Sequence, residues 1–336
     1  MIAVINSAPS DPDAMAPDQP TGWPRREFFD DRDKYYVPKQ YFDLTKVSPL
    51  NLRQHKTYGA FFPKTFYDQT PAKTKLNGDC WGTCVANATA AAFVYEWKRA
   101  GLPAVDASRL FIYFNARQID FEASKDPWDD PKSKKPKGQG SYIRLAFKAL
   151  DQRGVCAEND WTYDDEHFAT QPTKDAIEKA LENRMIQYSR LDPDQPEGVE
   201  KNMTSEEKDI IGAMTLLRLR QCLAEGHPVV FGFRYYWKYA PFQKTDKPGF
   251  WTLPALPRKN GPASDEGGHA VLAIGFDDKG KRILCQNSWG ESVDGAPLFY
   301  IGYDWIKDFE ATSDFWMVRL VEKKEKQKPN ARESRL

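Results

Sequence analysis

The sequence predicts an α+β fold of two unlike lobes, helical first and β-rich second, and three observations carry that expectation. The segment 83–99 is dominated by Ala, opened by Thr83, and places Phe93 and Trp97 one turn apart, which is the pattern of a well-buried helix. Two more segments, ASRLFIYFNARQID (107–120) and SYIRLAFKALDQRG (141–154), carry apolar residues at helical spacing. Beyond Pro228 the texture changes to short apolar and aromatic runs divided by turn residues, the mark of strands. Helices come first and strands second, with no internal repeat, which implies two unlike lobes.

Residues 1–35 are rich in Pro, Asp and Arg with little periodicity and read as an extended arm. The runs YFDL and FFPKTFYDQ within 36–69 suggest a segment wrapping the domain. DPWDDPKSKKPKG (126–138) reads as an exposed insertion. Gly154 closes the helix over 141–154 as a left-handed C-cap. Residues 174–188 and 205–226 read as two further helices. PVVFGFRYYW, GHAVLAIGF, RILCQNS, LFYIGY and DFWMVRLV then read as strands, and the charged end KKEKQKPNARESRL as a frayed tail. The expected division is an arm over 1–60, one domain over 61–322 with lobes of about 61–225 and 226–322, and the tail over 323–336.

A chain of 336 residues with 40% hydrophobic and 13% aromatic residues is globular in composition and ample for a packed core. Lys+Arg and Asp+Glu are both 48, so there is no basic excess to bind nucleic acid. No apolar run approaches the roughly 20 residues needed to span a bilayer. The opening MIAVINSAPSDPDAMAPDQP lacks a basic n-region, so no secretory signal is expected. Five Cys is an odd number and few for this length, which suits a reducing compartment. The expected location is cytoplasmic, or outside the cell by a route without a classical signal peptide. No Cys/His pair has zinc spacing and no phosphate-binding loop is present, so neither metal nor cofactor is expected.

Three phrases carry chemistry: GDCWGTCVANATAAAFVYE (78–96), GGHAVLAIGFDD (267–278) and ILCQNSWG (283–290). A thiol at a helix start, an imidazole on one extended segment and an amide on the next form a complete nucleophilic set. Cys, then His, then Asn within NSWG resembles the papain-like cysteine peptidases. The similarity runs from about residue 60 to about 320. ASRLFIYFNAR, GQGSYIRLAFKALDQRGVC, GHPVVFGF, GGHAVLAIGF and NSWG are similar to bacterial members whose nucleophile lies in a G-S-C-T-A-N-A phrase, and GTCVANA is the near match. The resemblance implies a two-lobed fold with the Cys at the start of a central helix, an antiparallel β-barrel-like lobe bearing His and Asn, and a cleft between them. It implies hydrolysis of peptide bonds in a peptide or protein substrate through an acyl-enzyme.

On that resemblance Cys84 is the nucleophile, and the chemistry agrees. The thiolate is the reactive form, and helix N-terminal N–H groups favour an anion. Cys80 in G-D-C-W is the rival, since many relatives place Trp directly after the catalytic Cys. A helix starting there would carry Gly82 and Thr83 in its first turn, which are weak helix formers, and this favours Cys84. Of the four His, only His269 precedes an Asn-bearing segment, so His269 is the expected base, with Asn287 orienting its ring and Trp289 shielding their hydrogen bond from water. Relatives place an oxyanion-hole Gln six residues before the nucleophile, where this chain has Gly78. Gln69, in Y-D-Q, is the preferred candidate, and Asn77 is a second. Gly138, Gln139, Gly140 and Ser141 resemble the wall that holds an extended peptide by backbone hydrogen bonds.

Two other readings stay open: a catalytically silent papain-like module that binds a peptide or partner, and an amide-processing transferase or deamidase with the same Cys–His pair. Residues 1–60 lack the long helical repeat of an inhibitory propeptide. Phe28, Phe29, Tyr35, Tyr36, Tyr41 and Phe42 suit a segment lying across an existing surface, so the arm is expected to be a structural strap.

Overall fold

The computed structural model describes residues 34–63, 82–124, 131–132, 140–193, 203–236, 241–256, 266–290, 296–308 and 310–323. The helices are α1 (Leu44–Val47), α2 (Cys84–Arg99), α3 (Arg109–Ser124), α4 (Ile143–Arg153), α5 (Lys174–Ala180), α6 (Ser205–Ala224) and α7 (Tyr303–Lys307). The strands are β1 (Leu50–Asn51), β2 (Asn183–Arg190), β3 (Val229–Tyr236), β4 (Gln243–Lys244), β5 (Trp251–Thr252), β6 (Glu266–Asp277), β7 (Arg282–Gln286), β8 (Leu298–Gly302) and β9 (Thr312–Lys323).

Helix α2 is buried along its whole circumference from Val85 to Trp97, as expected of a helix apolar all round. Its Ala residues let neighbours come close. Helices α3 and α4 cover it on one side, and strands β3, β6 and β9 of the sheet pack against it on the other. A helical layer therefore rests on a β layer with α2 at the junction. The tertiary setting, more than helix propensity, holds this helix in place.

The strands form one open sheet in the order β2-β9-β3-β6-β7-β8-β5-β4, with β1 attached to β6. Among the described residues its edges do not meet, so the barrel-like lobe expected from the resemblance is not shown. Nor is it wholly antiparallel, because β5 runs parallel to β8. The helix expected over 174–188 ends at Ala180, and Asn183–Arg190 forms β2, which pairs with β9. Pairing with β9 overrides the local helical pattern, and it places a strand ahead of the last long helix of the first lobe. Gly154 does cap α4 at positive φ (71°), but its ψ of −159° is not the left-handed helical value. Glycine is needed there for a second reason: a Cβ would lie 2.0 Å from the Ala180 carbonyl oxygen.

Residues 34–62 run from the end of β2 past α6 to β6 and α2. The Tyr36 N–H donates to the Arg190 carbonyl and the Arg190 N–H to the Lys34 carbonyl, each at 2.8 Å. The Gln221 side chain accepts from the Phe42 N–H and donates to the Phe42 carbonyl, both at 3.0 Å. Glu225 accepts the N–H groups of Lys39 and Gln40. Strand β1 then pairs with β6 at Leu50↔Phe276 and Asn51↔Gly275, so close that a Cβ on Gly275 would sit 2.0 Å from the Leu50 oxygen. Of the aromatics expected to bury, Tyr36 is buried and Phe42 partly so, while Tyr35 and Tyr41 are exposed. Phe28 and Phe29 lie outside the described residues.

Candidate active site

Cys84 is the first residue of α2, and Thr83 is its N-cap. Gly82 sits at φ +65°, a left-handed conformation that a helix cannot continue through. The helix therefore begins at Cys84 and cannot extend back to Cys80, which itself lies outside the described residues. Cys84 is in no disulfide, and the residue is partly exposed. The strand that α2 packs on, β6, carries His269.

The β6–β7 hairpin determines where the imidazole stands. Its register pairs Leu272 with Gln286, so the residue after β7 lies alongside the segment that holds His269. His269 Nε2 is 2.7 Å from Asn287 Oδ1. The same Oδ1 accepts the Ser288 N–H at 2.9 Å, which only the oxygen end of the amide can do. Nε2 therefore carries the proton, and Nδ1 is left with the lone pair that can take one. The Asn287 N–H is anchored in turn on the Pro297 carbonyl at 3.0 Å.

An aromatic wall surrounds this pair. The Trp289 ring stacks on the imidazole with centroids 4.7 Å apart, and Phe233, opposite His269 on β3, meets it edge-on at 5.7 Å. Tyr235 and Phe242 pack against Trp289 at 5.7 and 5.5 Å. The wall excludes water from the His269–Asn287 bond, where such a bond is worth more. Burial lowers the His269 pKa to about 4, and the bond to Asn287 opposes that shift. Neither cause is a carboxylate, so a charged imidazolium here depends on an anion facing Nδ1.

That depressed value has a consequence for stability. The folded pKa lies below the unfolded one of 6.5, so the unfolded chain binds the proton first. Stability is then fully present above pH 6.5 and is lost as pH falls from 6.5 towards 4. The loss over that window is at most about 3 kcal/mol. Denaturant midpoints measured from pH 7.5 to 4.5 are expected to fall in the parent and to fall less steeply in His269→Gln. Equal slopes would show that other groups govern acid stability.

His269, Asn287 and Trp289 are thus brought together, and Cys84 heads the helix packed on the strand of His269. Gly140 is exposed with open space where a Cβ would be, and its carbonyl accepts from Arg117 at 3.0 Å. Ser141 follows, half-buried, just before α4. Gln69, Asn77, Gly138 and Gln139 lie outside the described residues. Phe233, Tyr235 and the Ser288 N–H are parts of the site that sequence reading missed. The alternation of Phe233 and Tyr235 in FGFRYY was the available signal, since it puts both rings on one face of the strand. Among the described residues no group of three or more His, Cys, Asp or Glu is placed to hold a metal ion, and no helix is long and apolar enough to cross a membrane.

A model of the Peptidase_C39 like family matches residues 157–313, the stretch that holds His269 and Asn287 but not Cys84. An uncharacterized peptidase C1-like protein of Acanthamoeba polyphaga mimivirus is 28% identical over 272 residues, 81% of this chain and 78% of that one. The crystal structure of xylellain, a cysteine protease from Xylella fastidiosa, superposes with a TM-score of 0.60 at 28% identity, over 88% of this chain and 94% of that chain. Procathepsin B of Trypanosoma congolense shares the fold at 11% identity, with a TM-score of 0.52 over 86% of each chain. In fold and in sequence the chain is similar to the papain-like cysteine proteases, which supports reading it as a hydrolase of that kind.

Proposed function

We propose that this chain hydrolyses peptide bonds of a peptide or protein substrate through an acyl-enzyme on Cys84. The observation that carries the reading is the orientation of His269. Its Nε2–H is spent on Asn287, so the bare Nδ1 is the atom available to take the thiol proton. The thiolate adds to the scissile carbonyl, and the Cys84 N–H and an amide donor, Gln69 by preference, hold the oxyanion. The imidazolium then gives its proton to the leaving amine as the C–N bond breaks, leaving a thioester. Water, deprotonated by the same Nδ1, adds to the thioester. Its collapse releases the acid and restores the thiol. Gly138, Gly140 and Ser141 hold the substrate backbone, and Trp289 keeps the His269–Asn287 bond dry.

Labelling with a thiol-directed epoxide, followed by peptide mapping, tests the reading. Modification of Cys84, blocked by prior incubation with a peptide substrate, is expected. An unreactive protein would favour the silent module, and amide transfer to an added amine would favour the transferase.

The arm is proposed to be a strap that stabilises the domain without entering the site. Its bonds go to Arg190 at the end of β2 and to Gln221 and Glu225 at the C-terminal end of α6. Deleting residues 1–52 is expected to lower Tm by several degrees and to leave the labelling rate unchanged. A large rise in labelling after deletion would make the arm inhibitory.

A further inference from the structure

We infer that a closed hydrogen-bonded ring beneath the start of α2, made by Thr83, Tyr163, Glu158, Arg109 and Asn87, is a positioning device that keeps the helix's first turn uncapped for Cys84. The inference rests on Cys84 being the nucleophile. The Thr83 hydroxyl lies 2.6 Å from the Tyr163 hydroxyl. The Tyr163 N–H donates to Glu158 at 2.9 Å, and Glu158 pairs with Arg109 at 2.9 Å. Arg109 reaches the Asn87 oxygen at 3.5 Å, and Asn87 Nδ2 donates to Thr83 Oγ1 at 3.2 Å and to the Thr83 carbonyl at 3.0 Å. The Arg109 guanidinium also lies 4.0 Å from the centre of the Tyr163 ring.

Two other helices in this chain show what a Thr at the N-cap ordinarily does. Thr173 before α5 and Thr204 before α6 have ψ of 159° and 162°, and each hydroxyl accepts an N–H of its helix's first turn at 3.2 Å. Both first turns also carry acidic residues: Asp175 in α5, Glu206 and Glu207 in α6. Thr83 has ψ 15° and makes no side-chain cap bond, and the first turn of α2 has no acidic residue. Its hydroxyl is turned away into the ring. The positive end of α2 is therefore neutralised neither by its own cap nor by its own first turn, and it acts on whatever stands at residue 84. Thr83 and Asn87 are buried and the Arg109–Glu158 pair nearly so. An apolar cluster would stabilise this spot as well as a buried ion pair does. What the polar ring adds is the orientation of one hydroxyl.

The test is the rate of Cys84 alkylation by iodoacetamide, with the modified residue identified by peptide mapping. Tyr163→Phe frees Thr83 to turn back and cap the helix. The rate at pH 6 is expected to fall about fivefold, while the rate at pH 9.5, where the thiol is ionised in either protein, changes less than about twofold. Adding Thr83→Ala to Tyr163→Phe removes the returning hydroxyl and is expected to restore most of the pH 6 rate. Should Tyr163→Phe not fold, Glu158→Gln loosens the same ring and is expected to give the same pH-selective loss. An unchanged pH 6 rate, an equal loss at both pH values, or no restoration by Thr83→Ala would overturn the ring's role while leaving the nucleophile in place. Alkylation of a different residue in the parent protein would overturn the nucleophile and the ring together.

Discussion

Replacing Cys84 by Ala is expected to abolish turnover, a fall of at least about four orders of magnitude, while Cys80→Ala retains a substantial fraction of the parent rate. The argument is local geometry. Gly82 at positive φ and Thr83 as N-cap start α2 at residue 84, so only that thiol sits on the helix's positive end. A sulfur two or more residues upstream would lose both the dipole and the backbone N–H that the same helix supplies to an oxyanion. Initial rates on an unstructured peptide substrate, measured with the two variants at equal folded concentration, decide it. Activity kept in Cys84→Ala and lost in Cys80→Ala would assign the nucleophile to the G-D-C-W phrase.

The parts of this fold legible in the sequence are those whose burial pattern is one-sided or complete. Helix α2 announces itself because thirteen consecutive residues from Val85 to Trp97 are buried, and its Ala content is readable without a partner. Strands β3, β6, β7, β8 and β9 were legible for the same reason: their apolar runs stand between turn residues. Strand β2 was not, since Asn183–Arg190 becomes a strand only by pairing with β9 more than 120 residues away. Strands β1, β4 and β5 have two residues each, too few to carry a period. At the site, His269, Asn287 and Trp289 were readable because the hairpin brings them together over 20 residues of sequence. The ring under Thr83 was not readable, because Tyr163 and Glu158 come from a turn about 80 residues on, and nothing local in AEND or WTY marks it. The diverted cap also reverses a propensity rule: Thr before a helix ordinarily predicts a capping bond, and only the tertiary partner shows that this one is directed elsewhere.

His269→Ala is expected to lower turnover at neutral pH by about 10²- to 10⁴-fold, and Asn287→Ala by a smaller factor of roughly 5 to 150. The order follows from what each side chain does. Without His269 nothing at Nδ1's position takes the thiol proton or returns one to the leaving amine, and both steps fail. Without Asn287 the proton still has an acceptor, but the ring loses the bond that directs Nδ1. The stack on Trp289 at 4.7 Å and the edge contact of Phe233 at 5.7 Å still confine the imidazole, which is why the second loss is partial. The Asn287 bond also opposes the drop in the His269 pKa caused by burial, so its removal makes the imidazolium harder to form at the moment the thiolate needs it. Substituting Asn287 by Asp would supply a carboxylate to the imidazolium and raise its pKa, shifting the acid side of the rate profile in the direction opposite to Asn287→Ala. Steady-state rates from pH 5 to 9 on the three variants, with Tm as the control for folding, separate proton transfer from orientation. Parent-level turnover in His269→Ala would remove the acyl-enzyme reading, because no other base acts at that position in the proposed mechanism.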